Sequence, residues 1–408
     1  MSQDPNGNVF VVSAARTPIG RFGGALADVP ATRLGAVAIA TAVQRAGLPD
    51  AEIDEVYMGQ VLQGGAGQAP ARQAALAAGL PDEVAATTIN RVCGSGLKAV
   101  MLAAATIKAG DAEIVVAGGM ESMNQGPYLL EKARFGYRLG HGQLVDSTLA
   151  DGLWCSTEDC HMGTHAERVA ISEQVSRGDQ DAFALESHRK AVAAIDEGRF
   201  DDEMAAVPLP AKRGAEQRSV DIDEGPRRDT SLEALARLRP VFDLPADAES
   251  SAVVTVTAGN APGITDGAAA TVVASERAVE RLGLQPLARI VGYAQAELAP
   301  RWLFLAPVQG VKRLEERTQL GVEDYDLIEI NEAFAAQTLA DGRALGVDWS
   351  RVNVNGGAIA LGHPLGASGA RILTTLVHEL RRRDGRFGLA TLCLGGGGSV
   401  AMALENVR

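Results

Sequence analysis

Two cysteines lie in glycine-rich segments where a thiol can do covalent chemistry. Cys93 stands in Arg-Val-Cys-Gly-Ser-Gly, directly before a stretch with the spacing of a helix. A helix N-terminus stabilises a thiolate through its dipole and its free N–H groups, so this position predicts a nucleophile with a lowered pKa. A buried structural cysteine is the alternative, because free cysteines are among the most buried residues.

The second cysteine, Cys393, is the penultimate residue of the apolar run Leu389–Leu394, which four glycines follow. Catalytic residues of α/β proteins gather where strands end, and the N–H groups of such a loop could form an oxyanion hole. A phosphate-binding loop competes with this interpretation, but the sequence has neither a GxxxxGK[ST] motif nor a strand–GxGxxG–helix unit.

A histidine, His363, lies in a glycine-dense loop ahead of a helix and is followed by Pro364, which fixes the backbone. Histidine is the side chain best suited to move protons near neutral pH; a structural histidine is the alternative. A hydrolase would need only one cysteine, whereas a second thiol could act as an acid/base towards a carbon acid. The set therefore suggests carbon–carbon bond chemistry through a thioester.

An asparagine and a Cys-Cys-His set are further candidates for chemistry. Asn331 follows an apolar strand over 326–330, where it could serve the site or cap the next helix. Cys155, Cys160 and His161 could suggest a metal, but no second ligand pair stands at zinc-like spacing. We therefore expect no metal.

The composition bounds the kind of protein that positions these groups. The chain has 408 residues, with 38 Lys and Arg against 51 Asp and Glu, which gives a net charge of −13. A sequence pI of about 5.0 argues against a nucleic-acid binder. Four cysteines indicate a reducing compartment, and we find neither a signal peptide nor an apolar run of membrane length. We expect a cytoplasmic protein without a membrane span.

The pattern along the chain predicts three parts. Residues 1–120 alternate apolar strands at 9–13, 55–59 and 113–119 with a helix over 97–107, which favours a parallel α/β sheet. Residues 121–251 read as a loop-rich insertion with a helix near 179–197, and 252–275 would complete the first half. The α/β pattern returns over 276–408.

A weak internal similarity links the two α/β parts. In each, a Ser-Gly pair at a helix start is followed by a helix, a strand and a glycine cluster, first from Cys93 and again from Gly366. A duplicated unit would explain the similarity; two common glycine-rich turns are the alternative.

Four motifs, in order, give the whole chain a resemblance to the thiolase family. They are Asn-Arg-Val-Cys-Gly-Ser-Gly at 90–96, Asn-Glu-Ala-Phe-Ala at 331–335, Gly-His-Pro-Leu-Gly-Ala-Ser-Gly at 362–369 and Cys-Leu-Gly-Gly-Gly at 393–397. The resemblance implies a duplicated five-layer αβαβα fold. It also implies an inserted loop domain that binds CoA and makes the contacts of a homotetramer.

The resemblance also implies roles for individual residues. Cys93 would carry the acyl group, His363 would activate it, and Cys393 would move the proton at the α-carbon of acetyl-CoA. Asn331 would hold a water that, with His363, forms one oxyanion hole. The N–H groups of Cys93 and Gly395 would form the other.

The substrate inferred from the resemblance is short. His161 and Met162 look like those of enzymes that condense two acetyl-CoA into acetoacetyl-CoA and CoA. Pro262 stands where many relatives have serine, and Leu303 with Phe304 replaces a glycine-containing segment. These departures keep a broader 3-oxoacyl-CoA thiolase of fatty-acid degradation open as the alternative.

Contacts to the substrate follow from the same motif positions. The predicted acyl and CoA contacts are Arg227, Ala258, Pro262, His161, Met162, Leu303, Ala333 and Phe334. Arg227 belongs to a basic stretch over 212–239 that could hold the CoA phosphates or could be a solvated face. CoA would be substrate and product, with no other cofactor. A non-catalytic acyl-CoA-binding protein and a decarboxylating or carrier-protein-dependent condensing enzyme are the remaining alternatives.

Overall fold

Sixteen strands and eleven helices make up the described part of the chain in the computed structural model, which describes residues 7–209 and 218–407. Lys212 and Arg213 of the basic stretch lie outside the described residues. The strands are β1 (Val9–Arg16), β2 (Gly20–Arg21), β3 (Glu55–Gly59), β4 (Ala85–Ile89), β5 (Ile114–Ser122), β6 (Tyr128–Leu129), β7 (Val145–Asp146), β8 (Trp154–Cys155), β9 (Cys160–His161), β10 (Val207–Pro208), β11 (Ser219–Val220), β12 (Thr265–Ser275), β13 (Ala288–Glu297), β14 (Leu327–Ile330), β15 (Phe387–Leu394) and β16 (Gly398–Asn406).

The helices differ widely in length, and most begin or end at a recognisable cap. They are α1 (Ala31–Ala46), α2 (Pro70–Ala77), α3 (Ser95–Ala109), α4 (Met162–Ser172), α5 (Arg177–Asp196), α6 (Leu232–Ala236), α7 (Glu276–Leu282), α8 (Ala306–Thr318), α9 (Ala335–Leu345), α10 (Ala358–Leu361) and α11 (Ser368–Arg382). The predicted helix near 179–197 is α5, which begins earlier because Ser176 and Asp179 form a capping box.

The main sheet runs in the order β14-β15-β16-β13-β1-β12-β5-β3-β4, with β2 added beside β12. The prediction of a parallel sheet for residues 1–120 is confirmed for β3, β4 and β5. β1 pairs with the antiparallel neighbours β12 and β13 from later in the chain, so the sheet as a whole is mixed. The described pairs β3–β4, β3–β5 and β14–β15 are parallel, and the remaining neighbours are antiparallel. The antiparallel strands β12 and β16 are absent from the sequence prediction, because an uninterrupted apolar run cannot be told from a buried helix by its periodicity.

The strand order confirms the predicted duplication. The path β3-β5-β12-β1 in the first half matches β14-β15-β16-β13 in the second, with the same parallel and antiparallel steps. Helix α3 precedes β5 as α11 precedes β15. The two halves meet where β1 pairs with β13.

Alternating side chains build the layers on either side of each half-sheet. Val116 packs with α1 and α2 on the outer face of the first half, whereas Ala117 faces the central helices α3 and α11. In the second half, Leu389 packs with the outer helix α8 and Leu392 with the central pair. The result is five layers, α–β–α–β–α, as the family resemblance implied.

The central helices touch backbone to backbone at their first turns. A Cβ built on Gly96 of α3 would lie 2.7 Å from the backbone nitrogen of Ala370, and one on Gly369 of α11 would lie 2.4 Å from that of Leu97. The Ser-Gly pairs noted in the sequence are thus the crossing point of the two repeats. Because both catalytic segments enter these helices, the crossing sets their separation.

Contrary to the expectation from the sequence, one apolar stretch is long enough to span a membrane. Residues 92–109, which include α3, have a mean hydropathy of 1.3 over 18 residues, and more than half of the stretch is buried inside the protein. The central position of α3 between two sheets accounts for this apolar character, because such a helix buries most of its surface.

The segment between β5 and β12 contains three two-stranded ribbons, β6–β7, β8–β9 and β10–β11, together with α4, α5 and α6. This agrees with the loop-rich character expected for 121–251. The division of the chain at residues 120, 251 and 275 stays a prediction.

Candidate active site

The nucleophile candidate Cys93 lies in a strained turn between β4 and α3. The preceding residue, Val92, has a φ of 48°, a left-handed conformation that costs a β-branched residue about 1–3 kcal/mol. Polar side chains hold the turn: Asn90 Oδ1 accepts from the N–H of Val92 at 3.0 Å, and Ser95 Oγ donates to its carbonyl at 2.6 Å. The N–H of Arg91 donates to Ser95 Oγ at 2.8 Å.

The prediction that the helix terminus lowers the pKa of Cys93 is wrong for this structure. Burial raises the pKa of the thiol to about 12, and the charge of the buried Glu121 adds to the rise. The N–H groups of Gly395 and of Cys93 itself hydrogen-bond the sulfur and oppose this shift, but they do not overcome it. The resting nucleophile is therefore a thiol with two backbone donors already aimed at it.

The base candidate His363 lies between α10 and α11. Its Nδ1 is 2.6 Å from Ser368 Oγ, and that hydroxyl donates to the carbonyl of Pro364 at 2.9 Å. Because the Ser368 hydrogen is used there, Nδ1 carries the imidazole proton and Nε2 is bare. Burial, with the charge of Arg371 added, lowers the pKa of His363 to about 4. The imidazole is therefore neutral near pH 7.

The approach to His363 depends on Gly362, whose φ is 120°. A Cβ at this position would lie 2.6 Å from Thr265 Cγ2 and 2.7 Å from Ile19 Cγ2. The glycine thus lets the histidine loop pack directly on the first half of the molecule.

Asn331 is fully buried beside the histidine, with its side-chain amide 3.4 Å from His363 Nδ1. Helix α9 begins at Ala335 with Phe334 as its N-cap residue, so the alternative that Asn331 caps this helix is wrong. Asn331 Oδ1 and His363 Nε2 are both buried and have no partner among the described residues. Two such atoms together are suited to a substrate oxygen or a water.

Cys393 lies at the end of β15 and is 1% exposed. Burial raises the pKa of its thiol well above the usual value, and the charge of Cys93 adds to the rise. The two thiols are thus close enough to influence each other. Both are neutral at rest, and both line one cavity together with His363 and Gly395.

The wall of this cavity away from the thiols is aromatic. Phe334 packs edge-to-face on Phe304 at 5.3 Å and on Phe242 at 6.0 Å. Phe242 in turn stacks on the His161 ring at 4.7 Å, and a Cβ on Gly163 would collide with the Phe242 ring. The space beside the reactive groups is therefore narrow and apolar.

His161 is also held from the other side. Its Nδ1 accepts from the N–H of Gly163 at 2.9 Å and so caps α4. This leaves Nε2 as the protonated nitrogen, and burial lowers the pKa of the ring.

A second cavity, lined by Arg227 and Arg228, adjoins the first. The two cavities share Ala258, Ala261, Gly263 and Ile264 of the loop before β12. Arg228 pairs with Asp196, whereas the Arg227 guanidinium makes no ion pair within residues 7–209 and 218–407. The N–H of Arg227 donates to His188 Nδ1 at 3.1 Å, which fixes the backbone there.

The structure brings the predicted residues together. The predicted acyl and CoA contacts other than Arg227 all line the catalytic cavity, namely Ala258, Pro262, His161, Met162, Leu303, Ala333 and Phe334. Arg227 lines the second cavity, and Asn331 lies behind His363. Pro262 supplies no hydroxyl or N–H to this wall.

Sequence reasoning missed the roles of Phe242, Ser368 and Asn90. Ser368 and Asn90 belong to quoted motifs, and only their side-chain contacts reveal what they hold. Phe242 comes from the insertion, and no local pattern marks it; the space left by Gly163 was its only signal.

Among the described residues, no group of three or more His, Cys, Asp or Glu side chains is placed to hold a metal ion. The cavity instead combines a thiol, a neutral imidazole with a bare nitrogen, a second thiol and two backbone donors. This set can transfer an acyl group through a covalent thioester and can move a proton beside it.

The chain is similar to known proteins along nearly all of its length. Residues 9–277 match the family described as "Thiolase, N-terminal domain", and residues 284–406 match "Thiolase, C-terminal domain". Acetyl-CoA acetyltransferases from Pseudomonas aeruginosa and Cupriavidus necator are 51% and 52% identical over 397 and 398 residues; these cover 97% and 98% of this chain and 99% of each relative. The crystal structure of the Bacillus anthracis acetyl-CoA acetyltransferase superimposes with a TM-score of 0.94 at 43% identity, covering 98% of this chain and 99% of that one.

The neutral state of Cys93 and His363 predicts a pH dependence. Because the Cys93 pKa is raised to about 12, the thiolate fraction stays small near neutrality and grows with pH. We expect alkylation of Cys93 by iodoacetamide to accelerate about tenfold per pH unit between about pH 6 and 9. The rate is read from tryptic peptide 92–98, which contains no other cysteine.

Alkylation of glutathione under the same conditions is the control for the reagent. A rate that levels off near pH 7 would contradict the neutral pair, because a thiolate–imidazolium pair is already charged there.

Proposed function

Because the chain belongs to the thiolase family, we propose that it transfers acetyl groups between CoA thioesters. It condenses two acetyl-CoA into acetoacetyl-CoA and CoA, and it catalyses the reverse thiolysis. The placement of Cys93, His363, Cys393 and Gly395 around one apolar cavity carries this proposal. The relatives that are 51% and 52% identical in sequence are named acetyl-CoA acetyltransferases, which supports acetyl-CoA as the substrate.

The first half-reaction makes the acyl-enzyme. Cys93 gives its proton to the bare Nε2 of His363, and its sulfur attacks the thioester carbonyl. The N–H groups of Cys93 and Gly395, which already face the sulfur, stabilise the oxyanion, and each such donor is worth about 10²–10³ in rate. Cys393, a neutral thiol at rest, donates its proton to the departing CoA sulfur.

The second half-reaction forms the carbon–carbon bond. The Cys393 thiolate takes a proton from the α-carbon of a second acetyl-CoA, and His363 Nε2–H, with a water held by Asn331, stabilises the enolate oxygen. The carbanion attacks the acetyl carbon on Cys93 and expels the Cys93 sulfur. His363 returns its proton to Cys93, so every proton is accounted for and no cofactor besides CoA is used.

The second cavity is proposed to hold the phosphate and adenine end of CoA. Arg227 is the stronger candidate for a phosphate contact, since Arg228 is already paired with Asp196. A local cation matters here because the chain as a whole carries a charge of −13. The shared residues 258–264 then line the path of the pantetheine arm.

A short acyl group fits the aromatic wall. Phe304 is 3% exposed and packs on Phe334, so this bulky residue fills space beside the thiols. We therefore place acetoacetyl-CoA ahead of longer 3-oxoacyl-CoA substrates. On this proposal, Leu303 and Phe304 restrict the length of the acyl chain, in contrast to the broader 3-oxoacyl-CoA range that the sequence kept open.

This chain-length proposal is tested by CoA-dependent thiolysis of acetoacetyl-CoA beside a medium-chain and a long-chain 3-oxoacyl-CoA. We expect kcat/KM for acetoacetyl-CoA to be higher by at least about tenfold. Phe304→Ala should raise the medium-chain value relative to acetoacetyl-CoA by about tenfold, since one or more methylenes gain room. Phe183→Ala, which removes a phenylalanine packed on Trp349 away from the cavity, should leave the ratio unchanged.

Equal activity of the unchanged chain on long substrates would favour the fatty-acid-degrading alternative. No thiolysis of any substrate by the folded protein would overturn the enzyme and favour the acyl-CoA-binding alternative.

We also propose that the protein is a cytoplasmic homotetramer. The segment that contains β6 and β7 exposes Phe135 at 88%, Leu139 at 100% and Leu144 at 67%, an apolar set suited to a partner copy. Light scattering should give a mass about four times the 42.5 kDa of one chain. The Phe135→Ser, Leu139→Ser double variant should lower it, whereas the exposed control Val253→Ser should not. A monomeric wild-type protein would contradict this assembly.

A further inference from the structure

Cys155 and Cys160, which the proposed chemistry does not use, lie opposite each other on the ribbon β8–β9. The register pairs Cys155 with Cys160 directly and Trp154 with His161. Directly opposed residues of an antiparallel pair project from the same face, with Cα atoms about 4.5–5.5 Å apart. A disulfide needs Cα atoms about 4.4–6.8 Å apart, so the ribbon holds both thiols within bridging range.

The two thiols differ in access. Cys155 is 3% exposed, with its sulfur 3.3 Å from Thr157 Oγ1, whereas Cys160 is half-buried. Cys160 lines a side cavity that is also lined by the segment 244–247. A small reagent can thus reach Cys160 first.

The side cavity is separated from the catalytic one. The two cavities lie on either side of a shared wall made of His161, Val241 and Phe242, in which the His161 and Phe242 rings stack on each other. A reagent that enters the side cavity therefore meets Cys160 without passing Cys93 or Cys393.

A base stands next to the accessible thiol. Cys160 Sγ lies 3.5 Å from Nε2 of His165, and burial lowers the pKa of that ring, so it is neutral and able to take a proton. Burial raises the pKa of Cys160. The charged and titratable groups that act on it are Cys155, Glu158 and Asp159, which add to the rise, and Arg168, which opposes it. Reaction should consequently quicken as pH rises.

We propose that Cys155 and Cys160 form a reversible dithiol–disulfide site apart from the catalytic thiols, oxidised by a low-molecular-weight disulfide. Cys160 gives its proton to His165, attacks one sulfur of the reagent and expels a thiolate, which leaves a mixed disulfide. Cys155 then attacks the Cys160 sulfur and expels the second thiolate. Two protons and two electrons pass to the reagent, which leaves as two thiols, and one S–S bond closes the ribbon.

The position of the bond links it to the substrate wall. His161 and Met162 follow Cys160 directly and line the catalytic cavity. The disulfide would tie β9, which carries His161 and leads directly into Met162 of α4, to β8 beyond the two-residue backbone pairing now present.

The test uses the reduced full-length chain exposed to glutathione disulfide at about pH 8, then unfolded in denaturant, blocked with N-ethylmaleimide and digested with trypsin. Both cysteines fall in one tryptic peptide, 139–168. A glutamate-specific protease can then cut after Glu158, between the two cysteines, so that each thiol is assigned to its own fragment. We expect this peptide to lose two blockable thiols and two hydrogen masses without adding glutathione. A thiol reductant should restore both thiols.

Two single variants separate the steps. In Cys155→Ser, the mixed disulfide should accumulate on Cys160, because no second thiol can resolve it. In Cys160→Ser, the buried Cys155 should escape oxidation and be blocked as a free thiol once the chain is unfolded. Thermal unfolding of each variant checks that the fold is kept. The Cys93→Ala, Cys393→Ala double variant, treated with the same oxidant, should still close the disulfide in peptide 139–168, which shows that the catalytic thiols take no part. If the peptide of the unchanged chain keeps both thiols, or carries glutathione on each, while Cys93 becomes oxidised, the proposal is wrong.

Discussion

The close crossing of α3 and α11 is the constraint on which the rest of the structure depends. At Gly96 and Gly369 the two helices meet with no side chain between them. The carbonyl of Gly366 lies where a Cβ on Gly119 would be, at 2.0 Å, so the histidine loop also rests directly on β5. Overpacking such a contact by one methyl costs about 1–3 kcal/mol and would separate the segments that carry Cys93 and His363.

This crossing explains why a duplicated fold has a single catalytic site. Each repeat contributes one glycine-rich entry into a central helix, and each entry ends near the same point. The first entry supplies the thiol of Cys93, and the second supplies the imidazole of His363. Burial by both repeats then keeps these groups neutral, so charge develops only when a thioester carbonyl is present to receive it.

Much of this could be predicted from the sequence. The glycine-rich motifs gave the catalytic groups, because each motif must place a polar side chain at the start of a helix or the end of a strand. The repeat of Ser-Gly pairs predicted the duplication that the strand order confirms. The antiparallel strands β12 and β16 could not be predicted, since they are buried on both faces and lack an alternating pattern.

The electrostatics of the site were harder to predict. A helix start argues for a lowered thiol pKa, but desolvation by residues distant in sequence outweighs it at Cys93. The strain at Val92 and the contact of Phe242 with His161 depend on tertiary packing, which no local pattern encodes.

The most direct test of the proposed chemistry separates its two half-reactions with Cys393→Ala. The variant is incubated with acetyl-CoA, and tryptic peptide 92–98 is weighed while acetoacetyl-CoA formation is followed. The account predicts that Cys93 still becomes acetylated, more slowly because the CoA sulfur leaves without the Cys393 proton, while condensation is lost because no base remains at the α-carbon. Condensation at the wild-type rate, or the absence of acetyl on peptide 92–98 from the unchanged enzyme, would contradict it.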